Sequence, residues 1–402
     1  MKILKALLLI CSFVALSIAL GLFSSLFLYT LHESTSFFVQ NEWLMFLLPV
    51  IGLCVGYVYY KFGKEANLGT NHIIRSVEIK KNSIPFRTAP LVYIGTLLSH
   101  VVGASAGREG TAVQVGGVLA ENIRTLFRID SAYKPLLLLC GIAAGFSSVF
   151  GLPYAGIVFS LEIVRWKNYK LWYIAPIAFC SFSSNWICLQ TGIKHLSIPN
   201  INIPPFDVST VIYVLIVSIS CLIVGYIFVL STNRISKLLN SSISYKPFHP
   251  MIGGFLLILG YYLIGNVKFA GLGVTTITNG FTQLQPSTDF FFKLLFTSIT
   301  VGSGFKGGEV TPLFFIGVTL ASALLLFIPL PLSFLAALCF IGVFSSATKL
   351  PIASFVMSIE LFGTEGSFYF FVISILTGFL YSHHTIYVSH KIKVKNYNNQ
   401  TK

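Results

Sequence analysis

Glutamate stands twice in one glycine-rich setting. Gly107-Arg108-Glu109-Gly110-Thr111 recurs 200 residues on as Gly307-Gly308-Glu309-Val310-Thr311, each at the mouth of an apolar segment. Flanking glycines let backbone amides crowd close to whatever occupies such a site. A helix starting there aims the positive end of its dipole at the same point. A small anion and the Glu109 carboxylate would compete for those donors, and protonating Glu109 would release them. That is a physical route to coupling anion movement with proton movement. The bland alternative is a glutamate that only caps its helix. A purely structural cap is more plausible for Glu309 than for Glu109, since Pro312 is pre-set for an early helical position, but it is not the preferred reading there. Thr311 adds a hydroxyl donor of the size a small anion needs.

A second match runs almost in step, 198 residues apart. Phe146-Ser147-Ser148, Leu152-Pro153, Ala155 and Phe159-Ser160-Leu161-Glu162 recur as Phe344-Ser345-Ser346, Leu350-Pro351, Ala353 and Met357-Ser358-Ile359-Glu360. Two ordered matches at nearly one offset imply two copies of one structural unit. Glu162 and Glu360 each end an apolar run, and Glu162 has Arg165 three residues on. Both read as interfacial or packing residues rather than transport residues. Asn67-Leu68-Gly69-Thr70-Asn71-His72 lies between apolar spans, and Gly69-Thr70-Asn71 can start a helix whose amides face a pore. A plain loop with an N-cap is the competing reading.

These residues must be positioned within a membrane. Only 10% of residues are charged and 55% are hydrophobic. Mean hydropathy is +0.81. A soluble domain carries about 25% charge. Apolar segments fall near 6–31, 43–60, 89–102, 109–128, 135–150, 153–164, 171–192, 209–232, 249–265, 290–302, 309–328, 331–348, 351–362 and 366–388. Several fall short of the ~20 residues a spanning helix needs. Broken helices at membrane depth are tolerated only where protein or a water-filled cavity surrounds them. Their occurrence at matching places in two halves points to a transporter's binding site. The expectation is an all-α polytopic protein with one transmembrane domain over 1–395. Its halves cover about 1–232 and 248–395, Ser231 to Pro250 joins them, and 396–402 form a tail.

The net charge of +14 gathers in connections, for example Lys61, Arg75, Arg87, Arg234, Lys237, Lys246 and Lys391, while His32 to Glu42 has no Lys or Arg. The positive-inside rule then puts the N-terminus, the 61–87 connection and the C-terminal tail in the cytoplasm. Tails on one side require an even number of crossings. The basic excess suits lipid head groups and carries no expectation of nucleic acid. The uncharged stretch Ala6 to Leu31 reads as a retained first span, too long for a signal peptide. The seven cysteines lie in apolar stretches without a Cys-x-x-Cys pair and read as small buried hydrophobes. His383-His384 has no carboxylate or cysteine at ligand spacing, so neither metal nor cofactor is expected.

Gly107-Arg108-Glu109-Gly110 with Gln114 and Gly116-Gly117, Ala143-Ala144-Gly145 through Pro153 and Glu162, and Gly307-Gly308 through Pro312 together resemble the CLC superfamily. That family comprises chloride channels and proton-coupled anion antiporters, and the resemblance runs from about 60 to 390. Several departures resemble its fluoride/proton antiporter branch. They are Thr111 in place of proline, Gly69-Thr70-Asn71-His72 in place of a serine motif, Glu309-Val310-Thr311 in the third motif, and Ile163 in place of a second proton-path glutamate. The resemblance implies two inverted-topology repeats and a homodimer with one pore per subunit. It implies Glu109 as gating glutamate, Glu309 as a second proton-linked glutamate and Tyr387 as pore tyrosine. Gly69, Thr70, Asn71, Gly107, Arg108, Gly110, Thr111 and Thr311 would share the ion path. Ile73 and Ser76 stand where that branch's pore phenylalanines would be sought. The implied function is fluoride export from a bacterial cytoplasm against protons across the inner membrane. A chloride/proton antiporter or passive chloride channel on the same scaffold is the alternative. An intramembrane hydrolase is a rival of another class, because Gly103-Ala104-Ser105-Ala106-Gly107 matches the Gly-x-Ser-x-Gly pattern. Close helix packing by small residues explains that run better, so no enzyme is expected.

Overall fold

The computed structural model describes residues 2–63, 66–78, 84–164, 170–380 and 385–387. Arg165, the His383-His384 pair and the basic residues after 387 lie outside them. Sixteen α-helices make up the described chain. The first eight are α1 (Lys2–Gln40), α2 (Leu48–Phe62), α3 (Thr70–Glu78), α4 (Thr88–Val101), α5 (Glu109–Leu126), α6 (Lys134–Phe150), α7 (Pro153–Val164) and α8 (Ile174–Gln190). The second eight are α9 (Val208–Ser242), α10 (Phe248–Ile264), α11 (Val274–Asn279), α12 (Asp289–Ser303), α13 (Val310–Leu324), α14 (Leu332–Thr348), α15 (Pro351–Phe362) and α16 (Ser367–Phe379).

The two sets correspond helix for helix. α6 packs against α5, α7 and α8 as α14 packs against α13, α15 and α16. α1 meets α4, α6 and α8 as α9 meets α12, α14 and α16. The matched helices α2 and α10 touch each other, as do α7 and α15. The repeat therefore divides in the connection 191–207, which differs from the division expected at 231–250. Ser231 to Ser242 is the last third of α9. Its polar residues belong to a helix too long to stay within the bilayer core, about 30 Å thick at 1.5 Å per residue.

Among the described residues, four helical stretches are long and apolar enough to cross a membrane, and seven shorter apolar helices accompany them. Their faces divide by neighbour rather than by polarity. Every residue of α6 is buried. α1 and α9 leave Leu22, Leu26, Ile219 and Ile223 exposed on their outer faces, as a lipid-facing surface requires. Cys11 and Cys54 are also exposed, unlike the other five cysteines. Cys11 lies on α1 and Cys54 on α2, each on an exposed apolar face where a small thiol needs no protein partner. Inside, small residues let backbones meet. A Cβ on Gly116 of α5 would lie 2.2 Å from the Gly141 carbonyl of α6, and one on Gly317 of α13 would lie 2.4 Å from the Cys339 carbonyl of α14. Such close packing replaces the hydrophobic drive that lipid does not supply. It fixes where α5 and α13 begin.

Candidate functional site

The two helices that carry the repeated glutamates start face to face. Gly107 and Gly308 exchange two backbone hydrogen bonds, 2.6 and 2.7 Å long, which is the one bridge among the described residues. No side chain fits at either position. A Cβ on Gly107 would lie 2.4 Å from Glu109 Oε1, and one on Gly308 would lie 2.3 Å from the same oxygen. Glycine at both positions makes the room in which the carboxylate sits.

The segment leading to Gly107 is anchored by the other half. Tyr261 Oη donates to the Gly103 carbonyl at 2.8 Å, and Gly271 N donates to that of Ala104 at 3.1 Å. Ser105 N donates to Thr300 Oγ1 at 3.1 Å, while its hydroxyl pairs with Thr297 Oγ1 at 2.9 Å. His100 is fully buried and faces the Thr96 and Ala106 carbonyls. Ser105 thus bonds another hydroxyl, and the nearby imidazole bonds backbone carbonyls. The activated serine of a hydrolase is not built here.

Glu109 is 4% exposed, and its donors come mainly from the second half. Oε1 accepts from the backbone amides of Val310 and, at 3.2 Å, Thr311. Oε2 accepts from Thr311 Oγ1 at 3.0 Å and from Arg108 N at 2.8 Å. The carboxylate therefore occupies the N-terminus of α13, where orphan amides and the helix dipole favour negative charge. The expectation from sequence was that α5 itself would supply the competing donors. α13 supplies them instead, because the bridge between Gly107 and Gly308 sets the two helix starts against one another.

Glu309 is the N-cap residue of α13, yet its side chain makes no capping bond. Among the described residues it receives no hydrogen bond from Gly110 or Thr111, the mirror image of what Glu109 receives. It is near enough to Glu109 for their charges to interact, and Tyr387 interacts with both. The tyrosine is 7% exposed, on a segment held by Thr385 Oγ1 to the Thr348 carbonyl and by Ile386 N to that of Ala347.

The remaining candidates separate. Gly69 adopts φ +57° immediately before α3, whose first residues are Thr70 and Asn71, so the helix start read from sequence exists. Gly110 abuts the Gly307 carbonyl, and Gln114 Nε2 donates to the Gly110 carbonyl at 2.9 Å. Arg108 lays its guanidinium over Phe150, 5.7 Å from the ring centre. Thr111 does not share the Glu109 donor set: its hydroxyl pairs with Thr96 Oγ1 at 2.6 Å and is fully buried. Ile73 and Ser76 are buried, with Ile73 against Gly117.

Away from this site, the second glutamate pair has a structure its sequence did not reveal. Glu162 accepts from the amides of Ile352 and Ala353 at the start of α15, at 3.1 and 2.7 Å. Glu360 accepts from those of Tyr154 and Ala155 at the start of α7, at 3.1 and 2.8 Å. Each caps the other's helix. The 198-residue repeat was the only signal for this pairing.

The family described as voltage gated chloride channel matches residues 51–383. The chain belongs to this family. A chloride/fluoride channel protein of Pseudomonas syringae pv. tomato is 36% identical over 351 residues, 86% of this chain and 78% of that protein. The crystal structure of a CLC-type fluoride/proton antiporter superposes with a TM-score of 0.91 at 29% identity, covering 96% of this chain and 98% of that one. A slow cyanobacterial Cl-/H+ antiporter shares the fold with a TM-score of 0.80 at 17% identity, over 97% and 98% of the two chains. The all-α CLC architecture and its placement as an integral membrane transporter or channel, rather than an enzyme, follow from these matches together with the helices above.

Proposed function

We propose that this chain exports fluoride across a bacterial cytoplasmic membrane in exchange for protons. The observation that carries the reading is the Glu109 carboxylate on the amides of Val310 and Thr311 and the Thr311 hydroxyl. Those donors form a seat for one small, strongly hydrogen-bonding anion. Ionised Glu109 fills it. Once protonated, Glu109 no longer competes for the amides, and fluoride takes its place at the helix start. The proton and the anion thus exchange possession of one set of donors, which couples their movements.

Glu309 adds a second carboxylate to the same space. Two carboxylates and an anion repel strongly in a low dielectric unless a proton joins them, which ties proton number to ion number. Tyr387, with Gly69, Thr70 and Asn71 at the start of α3, would line the inner part of the path, and Arg108 and Gly110 the part around the gate. Both termini face the cytoplasm in this account, and two copies assemble with one pathway each in a lipid bilayer. The name of the antiporter structure favours fluoride, and that of the Pseudomonas relative gives both chloride and fluoride. Fluoride enters cells as its neutral acid, is trapped as the anion, and can be driven out by inward proton flow.

Proteoliposomes loaded with fluoride or chloride, with pH recorded alongside, test the assignment. Fluoride should leave far faster than chloride and should carry a proton flux with it. Equal rates for the two ions would turn the reading toward the chloride transporters of the same fold.

A further inference from the structure

A cavity of 380 Å³ lies between α2, α10 and the 301–307 turn. Its outer part is lined by Lys246 and Asn240, in the basic region that the positive-inside rule places in the cytoplasm. Its inner part is lined by Gly69, Gln114 and Gly307. Gly307 precedes the bridge residue Gly308, and Gln114 bonds the carbonyl of Gly110. The inner end therefore lies one residue from the seat that Glu109 fills.

Lys306 stands at that end. Its Nζ is 4.0 Å from the centre of the Tyr59 ring and 3.5 Å from Asn67 Oδ1. Neither neighbour cancels its charge. The described lining residues include no aspartate or glutamate, against the two lysines 306 and 246. Tyr59, on the same wall, is 2% exposed and its hydroxyl has no hydrogen-bond partner among the described residues. A cation that no described lining residue neutralises, held between low-dielectric walls, focuses its field and raises the local concentration of anions. The volume suits a small ion with part of its water shell, since each water takes about 30 Å³.

We propose that Lys306 is the residue that captures the transported anion on its cytoplasmic approach, binding it in this cavity before it meets the gate. The direction of travel rests on the exporter reading above; the role of Lys306 does not depend on which halide moves. The competing account is packing, because the Lys306 stem lies against Gly95. The two accounts differ in what they move: lost packing lowers assembly and turnover, while lost charge weakens capture.

Right-side-out membrane vesicles loaded with rising fluoride separate them, with a parallel series in chloride. Lys306→Gln should raise the half-saturating internal concentration about fivefold, more than it lowers the saturating rate, and Lys306→Arg should restore most of it. Lys246→Gln, at the exposed mouth, should raise it about twofold. Both shifts should shrink as inert salt is added. An unchanged half-saturating concentration in folded Lys306→Gln protein overturns the proposal, whatever happens to turnover. Should that variant fail to assemble, an unchanged value in Lys246→Gln together with salt-independent capture by the parent overturns it equally. If the parent prefers chloride, the fluoride assignment fails while the Lys306 effect is read on chloride.

Discussion

Two pairs of repeated glutamates behave differently in this molecule. Glu162 and Glu360 return one another's bonds, each closing the start of the helix that carries the other. Glu109 and Glu309 do not. Glu109 takes the amides of α13, and Glu309 receives nothing comparable from α5. Reciprocity is what a structural cap needs: four amides satisfied, two charges fixed and no reason to move. The one-sided pair leaves a carboxylate without a donor among the described residues, beside one that holds a seat an anion could take. The repeat supplied both pairs, and the break in its symmetry separates the pair suited to transport from the pair suited to architecture.

Several substitutions probe that contrast. The largest effect is expected from Gly308→Ala, whose Cβ would fall 2.3 Å from Glu109 Oε1 and 2.9 Å from Gly110 N. The carboxylate would be expelled from its seat, and exchange should fall by on the order of a hundredfold or lose its coupling. Paired fluoride and pH traces in proteoliposomes read both outcomes. Glu309→Ala should come next, impairing proton-coupled exchange at least ~10-fold although Glu109 is intact. Parental exchange by a folded Glu309→Ala protein would reduce Glu309 to a helix-start residue. Thr311→Ala removes a donor and no titratable group, so fluoride affinity should weaken about tenfold with stoichiometry preserved, measurable by titration calorimetry. Smallest for transport is Glu162→Gln or Glu360→Gln. Each should cost about 1 kcal/mol of stability, seen as a lower melting temperature, with coupling unaltered. A loss of proton coupling in either variant would erase the distinction between the pairs.

The positions of the repeated glutamates and the bounds of some helices that carry them were legible in the sequence; the bonds that separate the two pairs were not. The bounds read for α7 and α15, 153–164 and 351–362, are those of the structure, because Pro153 and Pro351 mark their first turns. Glu109 stood out because glycine surrounds it. Other features were not legible, for physical reasons. Lipid and protein interiors are equally apolar, so nothing in α6 distinguishes a buried helix from an exposed one except its small residues. α3 and α11 are short and partly polar, and they escape a hydropathy reading. The Val310 and Thr311 donors to Glu109 lie some 200 residues away, and no local pattern records that α13 rather than α5 provides them. Thr111 looked like Thr311 in sequence, yet its hydroxyl turns to Thr96. The equivalence of two repeats does not extend to side chains when the chain around them differs.

The central claim is that the Glu109 proton and the anion exchange one set of donors. Simultaneous recording of fluoride efflux and proton influx in proteoliposomes, for the parent and for Glu109→Gln, tests it most directly. Glutamine keeps the shape and removes the titratable proton. The parent should move both species in fixed proportion, and the folded variant should move no protons, with fluoride exchange slowed or lost as well. Proton transport at the parental rate and stoichiometry in Glu109→Gln would contradict the account.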